Sequence, residues 1–208
     1  MKERVRGSLR IAAMLLAIHA AAANAAAGDV VAGKFKSEDQ RCQECHGSDG
    51  NGERPERKFA KLAGQFPEYL VKQLQDYRSG ARQHDFMSMS ARNMDDADIA
   101  DISAYYASQS RMHGDGGGND AVGKNLFQNG DASRNILPCA SCHVAIGATG
   151  TEINNPILAG QERNYLEQQI FAWRNGERSN SEGGVMNLVS KSLTDAEIHA
   201  LANYISGL

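Results

Sequence analysis

Past its first 27 residues, this 208-residue chain has no apolar run long enough to cross a bilayer, which takes about 20 residues. No stretch alternates apolar and polar residues in a way that makes a convincing strand. Aromatic residues are few, at 6%, so a domain of ordinary small size has a thin core of its own. There is no basic excess to match a phosphate backbone, which excludes nucleic acid as a partner. Only four cysteines occur, Cys42, Cys45, Cys139 and Cys142.

The first 27 residues differ from the rest. Lys2, Arg4, Arg6 and Arg10 form a basic start, Ile11 to Ala23 an apolar stretch, and Ala23-Asn24-Ala25 and Ala25-Ala26-Ala27 two cleavage patterns. The stretch is short for a spanning helix and His19 interrupts it, so 1–27 reads as a cleaved export signal and not as an anchor. Export implies a periplasmic protein. Setting aside the signal's four basic and one acidic residue from totals of 22 and 25 leaves 18 and 24, a net charge of −6. That balance favours basic partners.

The remainder repeats itself. "CQECH" at 42–46 returns as "CASCH" at 139–143, and "LAGQ" at 62–65 as "LAGQ" at 158–161. "EYLVKQLQDYRSGAR" (68–82) aligns with "NYLEQQIFAWRNGER" (164–178), and "MDDADIADISAYY" (94–106) with "LTDAEIHALANYI" (193–205). Offsets of 97, 96, 96 and 99 residues mean two related domains with short insertions, each with its own core. The glycine-rich "RMHGDGGGND" at 111–120 separates them. The expected domains are 28–112 and 118–208, with 113–117 as a flexible linker.

Each copy reads as all-α, with three or four short helices and long loops. Pro67 and Gly80 bracket one helix. Thr194 and Glu197 have capping-box spacing, as do Asp95 and Asp98. "AGK" (32–34) and "VGK" (122–124) lie in short amphipathic stretches ahead of each cysteine motif.

C-x-x-C-H is the attachment signature of c-type haem. Two thiols three positions apart on a helical turn reach one edge of a porphyrin, and the following His46 or His143 is directed at the iron. A thioredoxin-type disulfide wants a βαβ context, and a zinc ribbon spaces its cysteine pairs about 15–20 residues apart. Here the pairs are 97 apart, one in each repeat. Two covalent haem c groups, held by Cys42 and Cys45 and by Cys139 and Cys142, therefore account for every cysteine. They also supply the missing apolar mass.

C-x-x-C-H, L-A-G-Q, Y-L-x-x-Q, and a methionine 12 residues before a tyrosine-containing terminal helix core, all occurring twice, resemble the dihaem cytochrome c4 family. The likeness spans essentially the whole chain after the signal. It implies two tandem class I cytochrome c domains, face to face, with His/Met axial ligation of each haem. In copy two the one methionine after the haem motif is Met186, 12 residues before Ile198. Counting back 12 from Ile99 reaches Met87. Met89 and Met94 then pair with the ordinary apolar residues Leu188 and Leu193. Met87 and Met186 are the expected sixth ligands, with Met89 as the alternative if the loop slips by two. His84 is a rival ligand in principle, but copy two has Ser181 at its place.

The proximal histidines should each donate their second ring N–H to a backbone carbonyl. The resemblance places that carbonyl at Pro156 in domain two and Ala60 in domain one. Tyr69/Tyr165, Gln73/Gln169 and Arg78/Arg174 recur and are candidates for the haem propionates or, equally, for helix packing. Trp173, in place of Tyr77, is expected against haem or core.

With both axial positions filled by protein, the iron is left with outer-sphere electron transfer. The resemblance implies a free dihaem electron carrier, a monomer, between the cytochrome bc1 complex and a terminal cytochrome oxidase, with peripheral attachment to the membrane compatible with that role. The alternatives are a dedicated subunit of one dehydrogenase or reductase and, less in keeping with two methionines, a dihaem peroxidase.

Overall fold

The computed structural model describes residues 28–52, 59–114, 118–143 and 155–208. The expected export signal at 1–27 and residues 115–117 of the expected linker lie outside them. Among the described residues there is no strand, only one isolated bridge between Asp131 and Ile136. No helix among them is long and apolar enough to cross a membrane.

The first copy contains α1 (Val30–Asp39), α2 (Gln43–His46), α3 (Pro67–Ser79), α4 (Asp85–Ala91) and α5 (Asp96–Ala107). The second contains α6 (Ala121–Asn129), α7 (Arg163–Asn175), α8 (Val185–Ser190) and α9 (Asp195–Ser206), with three 3₁₀ turns between them. α3 runs from Pro67 to a left-handed Gly80, as its termini predict, and α7 stops at a left-handed Gly176. α5 and α9 both open with full capping boxes, Asp95 with Asp98 and Thr194 with Glu197. The segments carrying Met87 and Met186, read from sequence as loop, are the short helices α4 and α8. At seven and six residues they are too brief for a 3.6-residue period to be seen.

Each copy is organised by a close crossing of its first and last long helices. A Cβ built on Gly33 of α1 would lie 1.9 Å from the Asp101 carbonyl oxygen of α5, and one on Gly123 of α6 would lie 2.1 Å from that of Ala200 in α9. The glycines of "AGK" and "VGK" thus let two backbones touch. Ile99, Ile102 and Tyr106 build the first core with Leu70, Tyr77 and Met94. Ile198, Leu201 and Ile205 build the second with Leu126, Phe127, Leu166 and Leu193.

The crossing is tied down differently in each copy. In the first, Lys36 of α1 reaches Asp98 at 2.9 Å and Asp101 at 2.7 Å on α5. In the second its place is taken by Leu126, buried in the core. Seven more residues separate Gly123 from Cys139 than Gly33 from Cys42, and this insertion supplies Arg134. Its guanidinium grips Glu197 of α9 through two bonds of 2.6 and 3.1 Å and Asp131 at 2.7 Å.

The two copies pack on each other. Met112, at the end of the first, is buried with Ile157 and Ala159 of the second, and Phe66 and Leu208 flank the cluster. Gly114 and Gly118 lie against Ser206 and Gly207 at the end of α9. The ends of the glycine-rich segment are therefore packed, where the sequence alone suggests a free linker. Glycine at these two ends serves close approach.

Gly33→Ala or Gly123→Ala must push two backbones apart. Each is expected to cost about 1–3 kcal/mol or more, read as a lower thermal midpoint of the holoprotein. Arg134 also sets a pH dependence. Its hydrogen bond holds the Glu197 carboxyl at about 2, below the usual value of about 4.3. The resulting stability is present above pH about 4.3 and is lost as pH falls toward 2. Glu197→Gln should flatten the thermal midpoint across that window; an unchanged profile would show the ion pair to be immaterial.

Candidate functional site

In both copies the C-x-x-C-H motif is a single helical turn. It is the α-helical turn α2 in the first copy and a 3₁₀ turn, Cys139–Ser141, in the second. In both, the histidine N–H donates to the carbonyl of the first cysteine, at 3.1 Å for His46 and 2.8 Å for His143. The turn brings each cysteine pair to one side. The four thiols are free, and Cys42 and Cys139 pack against their domain cores. Burial pushes both thiols up to about 11, so they stay protonated. Among the described residues no three His, Cys, Asp or Glu side chains converge as a metal-ion cage.

His46 and His143 are buried. The His46 Nδ1 lies 2.8 Å from the Ala60 carbonyl oxygen, and the His143 Nδ1 lies 2.9 Å from that of Pro156. These are the two carbonyls expected from the sequence. Burial lowers both imidazole pKa values, against the opposing effect of these bonds, so the rings are neutral. A neutral ring that donates through Nδ1 keeps its lone pair on Nε2, the tautomer an axial iron ligand requires.

The three methionines of the first copy separate clearly. Met94 is 3% exposed, in the core, and its counterpart Leu193 is buried likewise. Met89 is 60% exposed and its counterpart Leu188 is 65% exposed. Met87 alone is half-buried and packs against the first core; Met186 is likewise half-buried. His84 caps α4, its Nδ1 accepting a long 3.4 Å bond from the Met87 N–H. In the second copy Ser181 Oγ accepts from the Met186 N–H at 3.2 Å. Both contacts hold a methionine N–H, but in the 99-residue register that pairs Met87 with Met186 the counterpart of His84 is Gly183, so copy two has no histidine there in either register.

Between the copies lies a cluster related by the 96-residue register of the repeat. Arg82 donates to Gln73 of its own copy and to Tyr165 and Gln169 of the other, at 2.9, 3.0 and 2.7 Å. Arg178 donates to Gln169 of its own and to Gln73 of the other, at 2.7 and 3.0 Å. Arg82 stacks over Tyr77, and Arg178 over Trp173. Asp76 accepts from Lys72 and Asn180 beside them. Both guanidiniums are buried, yet among the described residues every partner that they hydrogen-bond is neutral. Their field lowers the Tyr165 hydroxyl's pKa although burial acts to raise it. Two buried cations with no carboxylate bonded to them among the described residues suit a site that holds haem, which brings propionates of the opposite charge.

Arg78 and Arg174 take no part in this cluster. Arg78 binds the Met94 carbonyl and Asp96, and Arg174 the Leu193 carbonyl and Asp195, bracing α3 and α7 against the starts of α5 and α9. Helix packing is their role. Arg82 and Arg178, the last residues of "RSGAR" and "RNGER", escaped the sequence reading. Their recurrence in register was the available signal, but nothing local distinguishes a buried arginine from a solvated one after a helix-ending glycine. Gln65 and Gln161 of "LAGQ" also cross between copies. Gln65 bonds the Ile157 N–H and carbonyl, and Gln161 those of Lys61.

The model of the Cytochrome c family matches residues 30–110 and 121–208. A cytochrome c4 of Pseudomonas aeruginosa is 37% identical over 88% of this chain and 90% of its own. A thiosulfate dehydrogenase electron acceptor of Thiomonas intermedia is 35% identical over 79% of this chain and 77% of its own. The crystal structure of reduced recombinant cytochrome c4 from Pseudomonas stutzeri superposes with a TM-score of 0.79 at 35% identity, covering 88% of this chain and all of that one. With two C-x-x-C-H turns, two neutral buried histidines and two matching domains, the chain belongs to the cytochrome c family as a dihaem cytochrome c4, an electron carrier with two covalent haem c groups and not an enzyme.

Proposed function

We propose that Cys42 and Cys45 hold the haem of the first domain through thioether bonds, with His46 and Met87 on its iron, and that Cys139, Cys142, His143 and Met186 do the same in the second. The observation that carries this reading is the twofold occurrence of a buried histidine whose Nδ1–H is engaged by a backbone carbonyl. The burial pattern of the methionines supports Met87 over Met89. The bound iron supplies one-electron Fe(III)/Fe(II) cycling, and the thioether sulfur of methionine as axial ligand favours a high potential. The protein's work is to keep both axial positions filled, to exclude water, and to set the charge around each haem. Arg82 and Arg178 would supply the positive charge that offsets the propionates.

The division into a signal at 1–27, domains at 28–112 and 118–208, and a linker at 113–117 belongs to the same reading. It places a monomeric carrier in the periplasm, taking electrons from the cytochrome bc1 complex to a terminal cytochrome oxidase. A second reading has support in the Thiomonas intermedia relative: here too a thiosulfate dehydrogenase would be the electron donor, and the protein its dedicated partner.

Two measurements test these assignments. In a spectroelectrochemical titration, Met87→Ala should abolish the methionine–iron band of one haem and lower its potential, while Met89→Ala leaves both haems unchanged. The opposite result moves the ligand to Met89, and silence from both returns His84 as ligand. For the partners, the oxidised holoprotein is mixed with the bc1 complex and quinol, or with thiosulfate dehydrogenase and thiosulfate. The faster reduction by at least tenfold identifies the donor.

A further inference from the structure

Each proximal histidine leans on a peptide group whose other end belongs to the opposite domain. The Ala60 carbonyl that accepts from His46 shares its peptide with the Lys61 N–H, and that N–H donates to Gln161 Oε1 of the second domain at 2.7 Å. The Pro156 carbonyl that accepts from His143 shares its peptide with the Ile157 N–H, which donates to Gln65 Oε1 of the first domain at 2.9 Å. The two chains, histidine to peptide to glutamine, cross between domains and have the same form.

Both glutamines are held for this purpose. They are 4% and 5% exposed, so their bonds form away from water. Each also donates through Nε2 to the carbonyl of the residue it clamps, Gln65 to Ile157 at 3.0 Å and Gln161 to Lys61 at 2.9 Å. Each Oε1 takes a further N–H from its own domain, from Phe66 at 3.1 Å and Glu162 at 2.9 Å. The preceding glycines have positive φ, and a Cβ on Gly64 or Gly160 would meet the backbone of Arg111 or His113 at 2.6 to 2.8 Å. The loop is fixed on the far side as well.

A peptide group is one resonance unit. Drawing on its N–H places more negative charge on its oxygen, and chained hydrogen bonds strengthen one another by roughly 10–30% per bond. A better acceptor at Nδ1 makes the imidazole a more basic ligand, which favours Fe(III) and lowers the potential. We infer that Gln161 is a positioning residue that lowers the potential of the first domain's haem, and Gln65 one that lowers the second's. Each domain thereby tunes its neighbour's iron through the Ala60–Lys61 or Pro156–Ile157 peptide. The inference rests on His46 and His143 being axial ligands. A mere structural clamp would act on the interface as a whole, and so on both haems together.

The test uses the holoprotein, with both potentials measured and the His46 and His143 Nδ1–H signals followed by NMR. Gln161→Leu should raise the potential of the first domain's haem alone, changing its oxidised-to-reduced ratio at a fixed applied potential by about two- to fivefold, and shift the His46 Nδ1–H signal upfield. Gln65→Leu should do the same to the second haem and His143. Gln161→Glu keeps the Oε acceptor, so its His46 signal should stay at or downfield of the wild-type position even if the leucine variant fails to fold. Equal shifts of both haems, a shift in the variant's own domain, no shift, or an upfield His46 signal in Gln161→Glu overturns the inference. Failure of the ligand assignment is recognised separately: a histidine not bound to iron shows no hyperfine displacement of its ring N–H in the oxidised wild-type protein.

Discussion

A buried neutral imidazole has one proton for two nitrogens, and where that proton sits decides which nitrogen can bind iron. The bonds from His46 to the Ala60 carbonyl and from His143 to the Pro156 carbonyl settle that choice in each half of the protein. Much of the surrounding architecture serves these two bonds. The C-x-x-C-H turn aims the ring, the helix crossing at Gly33 or Gly123 presents the turn, and the L-A-G-Q segment begins two residues after the residue that supplies the carbonyl. An unpaired ring N–H at such depth would cost a full desolvation penalty.

The same plan is carried by different residues in the two halves. Lys36 ties the helix crossing in the first, and Arg134, from a seven-residue insertion, ties it in the second. Buried Ser37, Ser103 and Tyr106 in the first core face the same duty as Phe127, Ala202 and Ile205 in the second. One core carries hydroxyls where the other is apolar. Polarity around haem is one of the protein's means of setting its potential, so duplication of the fold does not require duplication of the redox properties.

The interface joins the halves by polar contacts as much as by apolar burial. Gln65 and Gln161 exchange hydrogen bonds with the backbone of the opposite copy, and Arg82 and Arg178 share Gln73 and Gln169. Buried polar groups arranged this way demand one mutual orientation, because a small rotation would leave several unpaired at once. For a two-site electron carrier, a fixed orientation keeps the separation of the sites constant.

The sequence by itself determined the duplication, the all-α class and the two haem motifs, and it singled out Met87 from its neighbours as the methionine to test. These are local patterns or differences between two aligned copies, and spacing along the chain expresses them directly. It also led to the carbonyls of Ala60 and Pro156 through the family likeness. Tertiary structure alone decided the rest. The short helices of Met87 and Met186 have no legible period, and the role of Arg78 as a helix brace depends on where α5 begins. Arg82, Arg178, Gln65 and Gln161 act across 83 to 105 residues of chain. Contacts that long are made only when two finished domains meet, and no local pattern in either copy encodes which face will be covered.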